Sequence, residues 1–255
     1  MKRLKLLVAN DDGISVGLKA LADAAASVGH DVFIATTRNH SSGAGKSISF
    51  KTRYEVTTLF DNYTAVIVDS TPATAVGVVL DSIRRDFDLV LSGVNSGPNL
   101  GLWDVLSSGT VGAVLEAATR GVRGIAVSLV AREWSEYPEL SYRDYYKAAK
   151  LVIDMFEALS DVQWKAPVLN INVPSWGIRG VREAVLETEV QSEVYTCSNN
   201  HCDMSRWTLD EAYKCSTPGS DVCLVKQGYA TVTPLIFACS TTLDWIREAL
   251  QQSLK

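Results

Sequence analysis

Lys5-Leu6-Leu7-Val8-Ala9-Asn10-Asp11-Asp12-Gly13 is the stretch of sequence that decides the fold. Residues 5–9 have the length and apolar character of a strand that is buried on both faces. Asn-Asp-Asp-Gly then interrupts the apolar run, and apolar residues at helical spacing predict a helix over Leu18–Val28. A buried strand that passes through a short polar turn into a helix is the first unit of a parallel sheet covered by helices.

The same alternation of strands and helices continues through the first two-thirds of the chain. Further extended segments are predicted at Asp31–Thr36, Ser47–Thr58, Tyr63–Asp69, Asp86–Ser92, Gly124–Val130 and Val168–Val173. Helices are predicted at Thr71–Arg85, Val111–Arg120 and Tyr142–Leu159. The expected fold class is therefore α/β, with a Rossmann-like, doubly wound and mostly parallel sheet in a three-layer α/β/α arrangement.

The pattern changes after Pro174, and polar residues, cysteines and turn formers dominate Thr188–Asp221. This part is expected to form an extended arm or hairpin. Regular structure is expected to return with a strand at Gly228–Pro234 and a terminal helix at Thr241–Ser253. We therefore expect two units, a Rossmann-like core over residues 1–180 and, over residues 181–255, the arm with the final strand and helix.

Composition argues against several classes of protein. The 255 residues carry a formal net charge of −5 and no basic run, so a nucleic acid duplex is not expected as a partner. No uninterrupted apolar stretch approaches the roughly 18 residues of a membrane span. Asn10 ends the first apolar run too early for a secretory signal. We expect no membrane partner and a cytoplasmic location.

Four of the five cysteines lie close together, at Cys197, Cys202, Cys215 and Cys223. No Cys-x-x-Cys motif occurs, which weakens a zinc or redox interpretation. Disulfide bonds are unusual in a cytoplasmic protein. Free thiols are therefore expected slightly ahead of disulfide bonds, with zinc behind both.

The Asp11-Asp12 pair is the first candidate site. In doubly wound sheets, ligands bind beyond the carboxyl ends of the strands, and this pair follows the first predicted strand. Two adjacent carboxylates repel each other unless a cation or hydrogen-bond donors compensate them, and Mg²⁺ or Mn²⁺ prefers oxygen ligands of this kind. The alternative is a helix-capping aspartate with a solvated neighbour.

Two later loops offer ligands for a cation and for an anion. Gly93–Gly101 follows a predicted strand and contains Asn95, whose carbonyl oxygen suits a metal, and Asn99, whose amide suits a phosphate. Ser108-Gly109-Thr110 precedes a predicted helix, where free backbone N–H groups and the helix dipole attract anions. Each stretch also has an ordinary explanation, as a turn or as a helix N-cap.

Familiar motifs of other enzyme classes are missing. Gly45-Lys46-Ser47 is similar to the end of a P-loop, but His40 stands where that motif needs glycine. An extended segment also follows it in place of a helix. No Gly-x-Gly-x-x-Gly follows the first strand, which disfavours a dinucleotide-dependent dehydrogenase. Without Gly-x-Ser-x-Gly, a Ser-His-Asp hydrolase lacks its nucleophile motif.

Taken in order, the motifs of this chain resemble the SurE family, the survival-protein nucleotidases. The blocks that carry the resemblance span nearly the whole chain: Leu7–Ile14, Ser42–Ser49, Ser70–Ala73, Leu91–Gly101, Ser108–Ala113, Leu169–Pro174 and Gly228–Leu235. Three features depart from the family pattern. No proline occurs in Ala35–Arg38, Ala73-Thr74-Ala75 after Pro72 lacks the usual acidic residue, and the cysteine-rich arm Val190–Cys223 matches poorly.

The resemblance implies a 5′-nucleotidase that hydrolyses nucleoside monophosphates or other small phosphoesters, with 3′-nucleotidase and exopolyphosphatase activity also possible. One divalent metal ion per subunit, Mg²⁺ or Mn²⁺, is implied with the ligands Asp11, Asp12, Ser42 and Asn95. Implied substrate contacts are Ser42, Gly43, Asn99, Ser108, Gly109 and Thr110, and implied catalytic residues are Asp11, Asp12, Asn95 and Ser108. The resemblance also implies that residues 1–180 form the catalytic core. Residues 181–255 would then form the element that builds a homodimer or homotetramer.

The expected mechanism is attack on phosphorus by a water molecule that the metal activates. Ser108, Thr110 and nearby amides would hold the phosphoryl oxygens, and Asp11 or Asp12 is a candidate to accept the proton. One alternative is a covalent aspartyl-phosphate phosphatase, although that class typically has its two aspartates one residue apart. Another is a non-catalytic nucleotide-binding protein on the same fold.

Overall fold

The computed structural model describes residues 3–158, 162–189, 195–204 and 208–236. Its strands are β1 Lys5–Asn10, β2 Asp31–Thr37, β3 Tyr54–Leu59, β4 Tyr63–Val68, β5 Leu89–Ser96, β6 Gly124–Val130, β7 Val168–Pro174, β8 Val181–Glu183, β9 Tyr195–Ser198, β10 His201–Met204 and β11 Ala230–Leu235. Its α-helices are α1 Val16–Ser27, α2 Pro72–Val78, α3 Gly101–Ser107, α4 Gly109–Ala118, α5 Tyr142–Ala158, α6 Leu209–Ala212 and α7 Asp221–Lys226. None of these helices has the length and apolarity needed to span a bilayer.

Nine strands form one sheet in the order β3-β4-β2-β1-β5-β6-β7-β11-β8. The six strands from β4 to β7 in this order run parallel, whereas β3 and β11 pair antiparallel with β4 and β7. From β1 the chain first builds the sheet towards β4 and then, from β5, in the opposite direction. The boundary between β1 and β5 is therefore the topological switch point, where ligands of this fold class bind.

The sheet has helices on both faces, so the predicted three-layer, doubly wound α/β fold is confirmed. Alternate residues of β1 point to opposite sides: Leu6 and Val8 belong to the apolar core under α1 and α5, and Leu7 and Ala9 to the core under α2 and α4. All four side chains are fully buried. This burial on both faces is why β1 is continuously apolar in sequence.

Two boundaries differ from the sequence prediction in the region that later forms the site. The strand expected to end at Ser92 continues through an irregularity in its pairing with β6 and ends at Ser96. Helix α3, at Gly101–Ser107, was not predicted. It is held by distant residues, because the carboxylate of Asp221 accepts the Gly101 N–H at 2.9 Å and Tyr213 donates to Asp104 at 2.9 Å.

The main sheet extends past the boundary that we predicted at residue 180. Strands β8 and β11 are part of it, so the residues after 180 complete the core as well as forming the arm. Strands β9 and β10 form a separate two-stranded hairpin. A third apolar cluster packs beyond the carboxyl ends of the parallel strands and contains Leu100, Val130, Leu209, Tyr213, Val222 and Val225. The predicted terminal helix at Thr241–Ser253 lies outside the described residues.

The four clustered cysteines form two disulfide bonds, so the expectation of free thiols was wrong. Cys197 and Cys202 are directly opposite each other in the β9–β10 hairpin, and Cys215 bonds to Cys223 in α7. The antiparallel pairing and the start of α7 bring each pair together. Their spacing in the sequence has no motif that reveals this proximity. Cys239 lies outside the described residues.

Candidate active site

The turn after β1 places both aspartates at the switch point of the sheet. Asn10 shapes this turn: its Oδ1 accepts the Asp12 N–H at 2.6 Å, and its Nδ2 donates to the Ser15 hydroxyl at 3.0 Å. Ser15 in turn caps α1 by accepting the Leu18 N–H. Since Ser15 supplies the cap, the interpretation of the aspartates as helix-capping residues is not needed.

Asp11 is a buried carboxylate in contact with the start of α4. Its side chain accepts a hydrogen bond from the Thr110 hydroxyl at 2.5 Å. Burial raises the pKa of Asp11 to about 6, and repulsion by Asp12 adds to this effect. A Cβ atom on Gly109 would lie only 2.8 Å from Asp11 Cβ and Oδ2, so glycine is what lets α4 approach the carboxylate this closely.

Asp12 connects three segments of the site. Its Oδ2 accepts the Ser96 N–H at the end of β5 at 3.1 Å. Its Oδ1 lies 2.9 Å from the Nε2 atom of His40, and the Ser42 hydroxyl lies 3.4 Å from that same nitrogen. The hydrogen bond with Asp12 raises the pKa of His40 although partial burial opposes it. The structure thus brings the Ser42 loop to the aspartates, as the family resemblance implies.

His40 is the residue of the site that the sequence analysis did not assign. In the sequence, His40 is notable only because it occupies a position where a P-loop needs glycine. The signal that points to it is positional, since it follows β2, whose carboxyl end lies beside that of β1 in the parallel sheet.

Asn95 is the last residue but one of β5. It precedes Ser96, whose backbone N–H donates to Asp12. Its side-chain nitrogen donates to the Gly97 carbonyl at 2.9 Å, which fixes the orientation of the amide group. The side-chain oxygen is then the atom that remains for a cation. Asn95 is 8% exposed, so this ligand is preorganised in a buried position.

Ser108, Gly109 and Thr110 begin helix α4 beside Asp11. The Ser108 hydroxyl accepts the Val111 N–H at 3.1 Å, and its carbonyl accepts the Gly112 N–H at 2.9 Å. Among the described residues, the N–H groups of Gly109 and Thr110 have no such acceptor. Together with the helix dipole, these two amides form an anion-binding position. The Thr110 hydroxyl itself donates its hydrogen bond to Asp11.

Asn99, which the resemblance implies as a substrate contact, is held by residues of β6 and β7. It is buried, and its side-chain nitrogen donates to the Ser128 hydroxyl at 2.7 Å. Its backbone N–H donates to Asn172 at 2.9 Å, and its carbonyl accepts from Asn170 and Asn172 at 2.8 and 3.0 Å. These contacts assign Asn99 to holding the loop in place. Sequence reasoning did not find Asn170 and Asn172 because they lie inside a predicted core strand.

The loop that carries Ser42 and Gly43 packs on the junction between α3 and α4. The Gly45 N–H donates to the Ser107 carbonyl at 2.8 Å, and the Gly45 carbonyl lies only 2.0 Å from where a Cβ on Gly112 would be. Ser42 and Gly43 are exposed near the tip of this loop.

The assembled donors fit a hard divalent cation. The carboxylates of Asp11 and Asp12, the amide oxygen of Asn95 and the hydroxyl of Ser42 are all oxygen ligands, which Mg²⁺ and Mn²⁺ prefer. Throughout the described ranges, no three side chains of His, Cys, Asp or Glu converge as a metal cluster. The candidate cation site is therefore this mixed oxygen set, directly beside the anion-binding start of α4.

Comparison with known proteins identifies the family. The family model described as survival protein SurE matches residues 6–201, which include every site residue named above. The chain belongs to the SurE family. The resemblance that the sequence motifs indicate is thus confirmed.

Two curated SurE relatives match along nearly their whole length. A protein named 5′-nucleotidase SurE from Archaeoglobus fulgidus is 32% identical over 252 residues, which cover 95% of this chain and 95% of the relative. The protein of the same name from Methanoculleus marisnigri is 32% identical, over 92% of this chain and 92% of the relative. Among solved structures, the SurE protein from Aquifex aeolicus matches with a TM-score of 0.77 and 27% identity, over 97% of this chain and 99% of that one.

Proposed function

We propose that this SurE-family protein is a divalent-metal-dependent phosphomonoesterase that hydrolyses nucleoside 5′-monophosphates to nucleoside and phosphate. The observation that carries the proposal is the hydrogen bond between the Thr110 hydroxyl and Asp11, which joins a candidate cation site to an anion-binding helix start. A phosphomonoester needs both, since its phosphoryl oxygens are anionic and its hydrolysis is assisted by a cation. The relatives named 5′-nucleotidase support the choice of nucleotide as substrate.

In this mechanism the start of α4 binds and orients the phosphoryl group. The N–H groups of Gly109 and Thr110 and the hydroxyl proton of Ser108 donate to its oxygens, as donors fixed before the substrate arrives. Asp11, Asp12, Asn95 and Ser42 would hold a divalent cation. When bound, the cation makes water a stronger nucleophile and neutralises charge on the phosphate. The buried position of Asp11 and Asn95 limits competing access of bulk solvent.

The first test is phosphate release by an Asp11→Asn variant. We expect turnover of p-nitrophenyl phosphate and adenosine 5′-monophosphate to fall by about 100-fold or more, because one negative charge is lost from the cation site. Chelation of divalent ions should abolish the wild-type activity, with Mg²⁺ or Mn²⁺ restoring it. Asp61→Asn, at the exposed β3–β4 turn, is the matched control and should keep full activity.

The outcomes separate the alternatives. Full turnover by Asp11→Asn contradicts the proposal. Nucleotide binding without phosphate release, with both metals supplied, identifies a non-catalytic binding protein. A trapped phospho-aspartate identifies covalent catalysis. A panel of 5′- and 3′-monophosphates and short polyphosphates then determines whether 3′-nucleotidase and exopolyphosphatase activities accompany the main one.

We also propose that the arm after residue 180 builds a homodimer or homotetramer. The β9–β10 hairpin is separate from the main sheet and exposes large apolar side chains, with Tyr195 at 60% and Met204 at 59% exposure. Light scattering of the wild type and of a variant with Tyr195 and Met204 both changed to Ser tests this. A wild-type monomer, or an unchanged assembly in the double variant, counts against a role for the hairpin.

A further inference from the structure

A cavity of about 460 Å³ lies beyond the carboxyl ends of β6 and β7, outside the candidate active site. Three cationic side chains line it, from Arg132, Arg179 and Lys226. They come from three separate segments: the loop after β6, the loop after β7 and the end of α7. No carboxylate is among the lining residues. The cavity therefore concentrates positive charge in a protein whose formal net charge is −5.

Most of this positive charge is not neutralised by the protein itself. Across the described ranges, no carboxylate forms an ion pair with the side chain of Arg132 or Arg179. Lys226 does have a partner, since its Nζ lies 3.7 Å from Asp210. That carboxylate is 82% exposed, so solvent screens the pair. Glu136 is also nearby, but its side chain accepts from the backbone N–H of Arg132.

Trp176 holds one of the guanidinium groups in a fixed orientation. The Arg132 guanidinium carbon lies 4.6 Å from the centroid of the indole ring, which is the geometry of a cation–π contact. Trp176 itself packs against the apolar cluster that includes Val130 and Val225. A guanidinium stacked on an anchored ring loses little conformational freedom when its N–H edge binds an anion.

The loop that carries Arg179 is also fixed to its neighbours. The Arg179 N–H donates to the Gly228 carbonyl at 2.8 Å, and the Ala230 N–H donates to the Gly180 carbonyl at 2.9 Å. These bonds tie the segment after β7 to the start of β11. Arg179 therefore projects from backbone that is held in place before any ligand binds, which lowers the entropic cost of binding.

The same apolar cluster separates this cavity from the metal and phosphate positions. Leu100, which begins the turn into α3 on the active-site side, packs in this cluster with Val130 and Val225. Trp176 covers the cluster on the cavity side. A ligand in the cavity therefore meets none of the candidate metal ligands, and binding there does not require the metal.

We propose that this cavity is a second, non-catalytic site that binds a phosphate group. Guanidinium groups pair with phosphate through two parallel N–H···O bonds, and Lys supplies a third positive charge. A phosphate dianion gains more from three converging cations than a carboxylate with a single charge does. The phosphate is either free inorganic phosphate or the phosphate of a small phosphoester, both of which a phosphomonoesterase encounters.

The test is calorimetric titration of the full-length protein with inorganic phosphate and with adenosine 5′-monophosphate, in the presence of a divalent-metal chelator. We expect the wild type to bind at least one of them. An Arg132→Gln, Arg179→Gln double variant should bind at least tenfold more weakly. Arg123→Gln is the matched control, because Arg123 also stacks on a tryptophan, Trp164 at 4.9 Å, but lies outside the cavity.

The comparison of the two ligands identifies the source of the phosphate. Equal affinity for both indicates that the site recognises the phosphate group alone, and tighter binding of the nucleotide indicates a phosphoester. Turnover of p-nitrophenyl phosphate with metal should be unchanged in the double variant. Absence of binding by the wild type at millimolar ligand, or equal binding by the wild type and the double variant, overturns the proposal. Lys226→Met replaces the double variant if that protein does not fold.

Discussion

At the scale of single residues, the site depends on how closely the backbone of α4 approaches Asp11. Gly109 has no side chain at the point where the helix meets the carboxylate, and the Thr110 hydroxyl donates to that carboxylate from the next position. The aspartate is thereby held between the end of β1 and the start of a helix. A change of less than one ångström here moves the candidate cation and anion positions relative to each other.

Gly109→Ala tests this close approach. The new Cβ would lie 2.8 Å from Asp11 Cβ, an atom that cannot move without the backbone of the turn. We expect turnover of p-nitrophenyl phosphate to fall by about 100-fold, since a shift of about 1 Å costs this much in other enzymes. Alanine favours a helix over glycine by about 1 kcal/mol, so a general loss of helix stability is not the expected cause.

Gly77→Ala in α2 is the control for this substitution. Its Cβ would meet only the ends of the Arg120 and Glu116 side chains, at 3.2 and 3.3 Å. Such groups can move aside, so activity should stay within about twofold of the wild type. Wild-type activity in Gly109→Ala, with circular dichroism showing a folded protein, would contradict the role given to this glycine.

At the scale of elements, the loop between β5 and α3 is held from β6 and β7. Asn99 is its anchor, bonded through its backbone to Asn170 and Asn172 and through its side chain to Ser128. The same loop positions Asn95, whose amide donates to Gly97. The buried asparagines of β7 thus act on the site through the loop, as positioning residues.

Asn172→Ala removes two of these bonds, one donated and one accepted by the Asn99 backbone. Because the Asn99 N–H is then buried without an acceptor, we expect the free energy of unfolding to fall by about 2 kcal/mol. The kcat for p-nitrophenyl phosphate should fall by about tenfold, with a smaller change in KM. Urea unfolding and steady-state kinetics measure the two effects. Asn62→Ala, in the exposed β3–β4 turn, should change neither.

At the scale of the whole molecule, two buried carboxylates organise the segment after β8, and one of them joins it to α3. Asp221 accepts the N–H groups of Gly101 and Glu187, and thereby joins α7 to α3. Glu187 accepts six hydrogen bonds from residues 188, 189, 216, 217 and 220. Burial by itself raises the pKa of Glu187, but backbone donors led by Thr217 and Ser216 outweigh it and hold the pKa at about 2.

The lowered pKa of Glu187 predicts how stability depends on pH. A carboxyl group with an ordinary pKa of 4.5 and a folded-state pKa of about 2 stabilises the fold fully above pH 4.5. This stabilisation, on the order of 3 kcal/mol, is lost as the pH falls from 4.5 to about 2. Glu187→Gln should therefore be most destabilising near pH 7, and its difference from the wild type should shrink across that range.

Thermal or urea unfolding at a series of pH values measures this difference. Glu189→Gln is the matched control: its carboxylate is exposed and forms a surface ion pair with Lys214, so its removal should leave stability almost unchanged. If the difference in the free energy of unfolding between the wild type and Glu187→Gln stayed constant from pH 7 to pH 2, the lowered pKa of Glu187 would be contradicted.

The sequence by itself determined the α/β class, most strands of the sheet and the place of the Asp11-Asp12 pair, because these follow from local periodicity and from the carboxyl ends of buried strands. It also located the helix start at Ser108–Thr110, since N-cap residues are local signals. Only the tertiary structure determined the contacts between residues that are far apart in the sequence. The role of Asn99 in anchoring its loop is visible only in the folded protein, because its partners lie 71 and 73 residues away. The disulfide pairs, helix α3 and the cationic cavity likewise depend on segments that only the folded sheet brings together.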